Sequence, residues 1–178
     1  LGGRVSADGV RAAAARLDGL AVLTPLLENE ALNERCGGRV LLKAEILQHC
    51  GSFKFRGAYN RLAQMTLDER RRGVLAWSSG NHAQGVARAA RLFGAQATIV
   101  MPSDAPALKV EKVRHYGAQI VFYDRYSDDR EAIGRGLAEE RGLALAPSYD
   151  HPQIIEGQGT LALEAVAQAR APGAPPRP

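Results

Sequence analysis

The chain has 178 residues, 46% of them hydrophobic, enough to bury one ordinary core or two small lobes, so a soluble globular fold is expected. A formal charge of +4 arises from 23 Lys and Arg scattered among 19 acidic residues; with no basic run, nucleic acid is not an expected partner. Cys36 and Cys50, the only cysteines, have neither metal nor redox spacing, and no apolar leader or membrane-length stretch occurs, so a cytoplasmic protein with no membrane partner is expected.

In chain order, residues 12–17 read as a short helix, and Thr24-Pro25-Leu26 breaks the chain ahead of the main pattern. Apolar runs at 40–42, 74–77, 97–101 and 120–123 then read as strands, each followed by a helical segment. One helix runs from Asn81 to Phe93 and closes at Gly94; a second opens at Asp104-Ala105-Pro106 and closes at Gly117. A third is capped by Asp128, with Glu131 three residues on, and closes at Gly142. This alternation predicts an α/β fold with a parallel sheet. The ligand crevice then belongs at the carboxyl ends of the strands, where the turn Ser78-Ser79-Gly80 falls. The Ala, Pro and Gly of 172–178 read as a disordered tail or linker; with Leu1 in first place, a partial chain is expected.

Two segments carry chemistry. In Gly51-Ser52-Phe53-Lys54-Phe55-Arg56-Gly57-Ala58 a lysine sits between two phenylalanines at a helix start. Apolar surroundings and the neighbouring positive charge of Arg56 would depress its pKa from about 10.4, which suits Schiff-base chemistry with a carbonyl. Alternatively Ser52 caps a helix, Phe53 and Phe55 anchor it, and Lys54 is solvated. In Ser78-Ser79-Gly80-Asn81-His82 a small polar loop opens a helix whose first N–H groups lack partners, favouring a carboxylate or phosphate. The alternative is a simple capped strand-to-helix turn, with His82 a surface residue. His49, His82, His115 and His151 share no metal-like spacing, so no metal is expected.

Together the two segments, in the order Lys43-x-Glu45-x-x-Gln48-x-x-Gly51-Ser52-Phe53-Lys54-x-Arg56-Gly57-Ala58 and Ser78-Ser79-Gly80-Asn81-His82, closely resemble the fold-type II pyridoxal-phosphate enzymes, in the threonine/serine dehydratase and serine racemase branch. The similarity continues through Ile99-Val100-Met101-Pro102, Ala105-Pro106, Lys109, Tyr116-Gly117-Ala118 and Gly157-Gln158-Gly159-Thr160, spanning roughly residues 5–165.

The resemblance implies pyridoxal 5'-phosphate as cofactor, with Lys54 its Schiff-base lysine and the general base, Phe53 packed beside the ring and Asn81 donating to the ring hydroxyl. Ser78, Ser79, Asn81 and His82 would grip the substrate carboxylate, assisted by Arg130. The implied activity is an ammonia-lyase (dehydratase) that turns L-threonine or L-serine into a 2-oxo acid and ammonia. Phe55-Arg56-Gly57-Ala58 follows this branch, whereas synthase relatives usually carry aspartate just after the lysine. Ser79 stands where racemases keep an acid/base, so serine racemase-like activity is the alternative, beside an inactive or partial chain of such an enzyme. The implied architecture is a small α/β domain at 73–146, with a larger domain represented by 1–72 and 147–171 and leaving apolar edges exposed. A small-molecule amino-acid substrate and a homo-oligomeric full-length enzyme are expected. The family's glycine-rich phosphate cradle follows later in its sequences and is not found here.

Overall fold

The computed structural model describes residues 4–171; the tail expected over 172–178 lies outside the described residues. The elements run α1 (Ala7–Leu17), β1 (Leu26–Glu28), α2 (Glu30–Cys36), β2 (Leu41–Lys43), α3 (Lys54–Ala63), α4 (Leu67–Arg72), β3 (Val74–Trp77) and α5 (Asn81–Leu92). They continue with β4 (Ala97–Pro102), α6 (Ala107–His115), β5 (Gln119–Tyr123), α7 (Arg130–Arg141), β6 (Ala144–Leu145) and α8 (Pro152–Arg170).

Strands β3 to β6 form the expected parallel sheet in the order β5-β4-β3-β6. Val74 lies beside Ala97 on one edge and Ala144 on the other, while Thr98 lies beside Gln119. All six residues of β4 are buried, the signature of a strand covered on both faces. Helix α5 seats closely on the sheet because, beyond His82 and Gln84 in its first turn, the residues it buries are small: Gly85, Val86, Ala87, Ala89 and Ala90, with Ala83 ahead of them. The core around them comprises Leu62, Met65, Val74, Ile99, Met101 and Val113, each contributing roughly 1.5–3 kcal/mol through burial.

Three expectations need correction. The apolar run at 40–42 does not join the parallel alternation: β2 pairs antiparallel with β1, Leu26 opposite Lys43. The link between them is the seven-residue α2, ended by Gly37 at φ 63°, which turns the chain straight back where a parallel crossover needs a longer path. Helix α7 is capped by Asp129, whose carboxylate accepts from the Glu131 and Ala132 amides; Asp128 instead accepts from the Asp124 amide. The first helix starts earlier than 12–17, at Ala7, because Ser6 Oγ accepts from the Gly9 amide.

Helices α1, α3 and α8 pack as a second layer. A Cβ on Gly157 of α8 would lie 2.6 Å from the Arg56 carbonyl, and one on Gly57 of α3 would lie 2.8 Å from the Ile154 carbonyl. The two helices therefore cross backbone to backbone, and Gly157-Gln158-Gly159-Thr160 serves that crossing. Leu23, Ile46 and Leu47 are exposed on this side of the molecule. Among the described residues no helix is long and apolar enough to cross a membrane.

Candidate active site

Lys54 owes its position to the turn before it. Cys50 at φ 61° and Gly51 at φ 69° are consecutive left-handed residues, the first a conformation rarely taken by a side chain other than glycine. They swing the chain so that Ser52 Oγ accepts from the Lys54 amide at 3.3 Å and α3 begins at the lysine. Phe55 is fully buried, whereas Phe53 is exposed. The Phe53 ring centroid lies 5.3 Å from Lys54 Nζ. On the other side α5 packs against the lysine backbone, where a Cβ on Gly85 would meet the Lys54 carbonyl at 3.2 Å.

The ammonium of Lys54 donates to the Ser148 carbonyl at 2.7 Å. Arg61 Nε donates to the Leu145 carbonyl at 3.2 Å, and His82 Nε2 to the Ala146 carbonyl at 2.8 Å. Three donors from α3 and α5 thus fix the end of β6 and the segment that follows it. Burial pushes the Lys54 pKa down. The expected help from Arg56 is absent: its guanidinium is fully buried and bonded to Glu45 at 2.8 Å and Glu164 at 2.6 Å. Side chains two apart on a helix do not face each other, so Arg56 points away from Lys54.

His82 is likewise not a surface residue. It is 2% exposed, and burial together with the nearby Lys54 charge lowers its pKa to about 4. Because a carbonyl only accepts, Nε2 carries the proton, leaving Nδ1 buried without a partner among the described residues.

A cavity of about 500 Å³ opens at the carboxyl ends of β3 and β6, where the crevice was expected. Its wall is made by Trp77, Ser78 and Ser79 after β3, by Arg130, Glu131 and Arg135 of α7, and by Leu145 and Pro147 through Asp150 after β6. Lys54 adjoins this wall through its bond to Ser148. At the start of α5, Gly80 provides no side-chain cap, and a Cβ there would meet nothing within 4 Å, so the helix N-terminus is open. Asn81 is exposed beside it, and the Gly80 amide donates to Ser78 Oγ at 3.2 Å. Of the residues singled out in the sequence, Ser78, Ser79 and Arg130 share this cavity, Lys54 and Phe53 sit beside it, and Asn81 and His82 lie outside its wall.

The arrangement fits an aldehyde cofactor with an aromatic ring. A desolvated amine adjoins an open crevice, with an aromatic side chain beside it and unpaired helix N–H groups close by. Sequence reasoning missed Trp77, Glu131, Arg135 and Ser148 through Asp150. Trp77 had one signal, as the last strand residue before the polar loop; the others reach the cavity only through the topology.

A model of the family "Pyridoxal-phosphate dependent enzyme" matches residues 18–176. The chain is 57% identical over 152 residues to an L-threo-3-hydroxyaspartate ammonia-lyase from Pseudomonas sp, covering 85% of this chain and 48% of the relative. It is 42% identical over 160 residues to an L-threonine ammonia-lyase from Thermotoga maritima, covering 90% and 40%. Among solved structures, maize serine racemase superposes with a TM-score of 0.88 at 37% identity, covering 92% of this chain and 50% of that one. The chain spans about half the length of the curated relatives it matches.

Proposed function

Because the chain belongs to the pyridoxal-phosphate dependent enzyme family, whose cofactor is pyridoxal 5'-phosphate, we propose that it carries the catalytic lysine and substrate cradle of an ammonia-lyase acting on β-hydroxy amino acids. L-Serine, L-threonine and L-threo-3-hydroxyaspartate are members of that class. The observation that carries the reading is Lys54 itself, a partly desolvated amine held by the Ser148 carbonyl beside Phe53 at the edge of an open crevice.

When bound, the cofactor supplies an electron sink for the pair left at Cα. Lys54 would hold it; Phe53 would pack beside its ring and Asn81 would donate to its hydroxyl. The amine of Lys54, freed when the substrate's amino group takes its place, then removes the Cα proton, which requires its neutral form; burial favours that form, and the Ser148 carbonyl orients it. The substrate α-carboxylate fits the uncapped N-terminus of α5, with Ser78, Ser79, Asn81 and the His82 backbone around it and Arg130 across the cavity. The proton taken by Lys54 is available to the departing β-hydroxyl, which leaves as water; water addition and loss of ammonia then give the 2-oxo acid.

A second activity is favoured by Ser79, an exposed hydroxyl in the cavity wall that could return a proton to Cα and yield the D-amino acid. Elimination is proposed to dominate. The same reading divides the chain at about 73 and 146, supported by the fact that β3 to β6 all fall within 73–146. Lys54→Ala should lower turnover by on the order of 10³-fold or more, and borohydride reduction of the loaded protein should label Lys54. Full activity in the variant, or an unlabelled Lys54, would refute the proposal.

A further inference from the structure

The lyase reading leaves part of the cavity wall unexplained, and the following inference rests on that reading. Helix α7 lies directly on the ring of Trp77: a Cβ on Gly134 would fall 2.4 Å from the indole, so only a glycine lets the helix seat there. Arg135, next in the chain, holds its guanidinium carbon over the Trp77 ring, 5.7 Å from its centroid. A guanidinium held over an indole face is restrained in position while its N–H groups stay free to bind.

Those N–H groups are weakly engaged. Glu131, one turn back on α7, stands 3.7 Å from Arg135 Nη2, well beyond a charge-assisted hydrogen bond. The Arg135 side chain is 66% exposed and forms part of the cavity wall. Arg125, in the segment between β5 and α7, shows the contrast, paired with Asp104 at 2.6 Å. Arg130 and Arg135 therefore both border one cavity, accompanied there by the carboxylates of Glu131 and Asp150.

A serine or threonine substrate brings one carboxylate, already accommodated at the α5 N-terminus with Arg130. Its hydrogen or methyl offers a second guanidinium nothing to bind. We infer that Arg135, seated on Trp77 and loosely countered by Glu131, selects among β-hydroxy amino acids for one whose side chain ends in a second carboxylate. Such a carboxylate can replace Glu131 with shorter, in-plane bonds, whereas a neutral side chain leaves the pair as it is. A site built for a charged group in this way rejects analogues that lack it.

The test compares the wild-type holoenzyme with Arg135→Gln on L-threo-3-hydroxyaspartate, L-threonine and L-serine. The ratio of kcat/KM for the dicarboxylate to that for the two neutral substrates should fall by about 10- to 100-fold, the worth of one charge-assisted hydrogen bond, and the loss should lie in KM. A second readout needs no turnover. Trp77 is the only tryptophan of these 178 residues, so emission read against a Trp77→Phe control reports the seat of Arg135. Succinate should shift that emission saturably in the wild type and not in Arg135→Gln, with propionate silent in both. A selectivity ratio unchanged within about twofold, or an equal succinate response in the variant, overturns the inference and leaves the lyase reading standing. If the wild type turns over no β-hydroxy amino acid, the lyase reading fails, and the succinate titration still decides the role of Arg135.

Discussion

Lys54 and Arg56 are two positions apart on one helix and meet opposite fates. The lysine faces the crevice, while the arginine faces inward to Glu45, Glu164 and Thr160. Both belong to the motif that marks the family, which told that they matter without telling which way they point. The same holds for Gln48, whose amide clasps the backbone of Val22 in both directions and so supports the fold. At Ser79 the chemistry separates two activities. Ser79→Ala should lower D-serine formation from L-serine by on the order of 10²-fold or more beyond any loss of pyruvate formation, which reports only the missing contact to the substrate carboxylate. Parallel loss of both products would show that the hydroxyl binds the substrate and moves no proton. What the sequence made visible here was any residue whose neighbours in the chain are also its neighbours in space. Arg135, Trp77 and Ser148 were hidden because three separate segments bring them together.

At the scale of elements, the strands at 74–77, 97–102 and 119–123 and the helices between them were readable because their apolar periodicity and glycine stops coincide. Strand β2 was misassigned because three apolar residues cannot say which partner they pair with. The crossing of α3 and α8 is not legible in the sequence, although both of its glycines stand in motifs shared with the family. Gly157→Ala puts a methyl within 3 Å of the Arg56 carbonyl, Asn60 Cβ and Gly57 Cα, two of them backbone atoms that cannot swing aside. The helices must separate, and α3 carries Lys54 at its start. A loss of about 1–3 kcal/mol in denaturant unfolding is expected, together with lower turnover. Wild-type stability in the alanine variant would mean that the crossing is looser than it stands here.

For the molecule as a whole, His82 ties acidity to folding. Its ring has an ordinary pKa of 6.5 and one of about 4 when folded, so between those values the unfolded chain binds a proton that the native one refuses. Stability is therefore undiminished by this group above pH 6.5 and falls as the pH drops toward 4, by up to roughly 3 kcal/mol. His82→Gln keeps a donor for the Ala146 carbonyl and cannot titrate, so its melting temperature should decline less than that of the wild type from pH 7 to 4. Equal declines would assign the acid sensitivity to the carboxylates instead. Arg56 sets a different kind of condition on the whole. Its two acidic partners flank it unevenly in the chain, Glu45 11 positions before and Glu164 108 positions after. On the ribosome, the guanidinium and its first carboxylate emerge together, but the second follows only after roughly 5–20 s of synthesis. Until then the second layer has neither α8 nor its charge balance, so this layer is completed late.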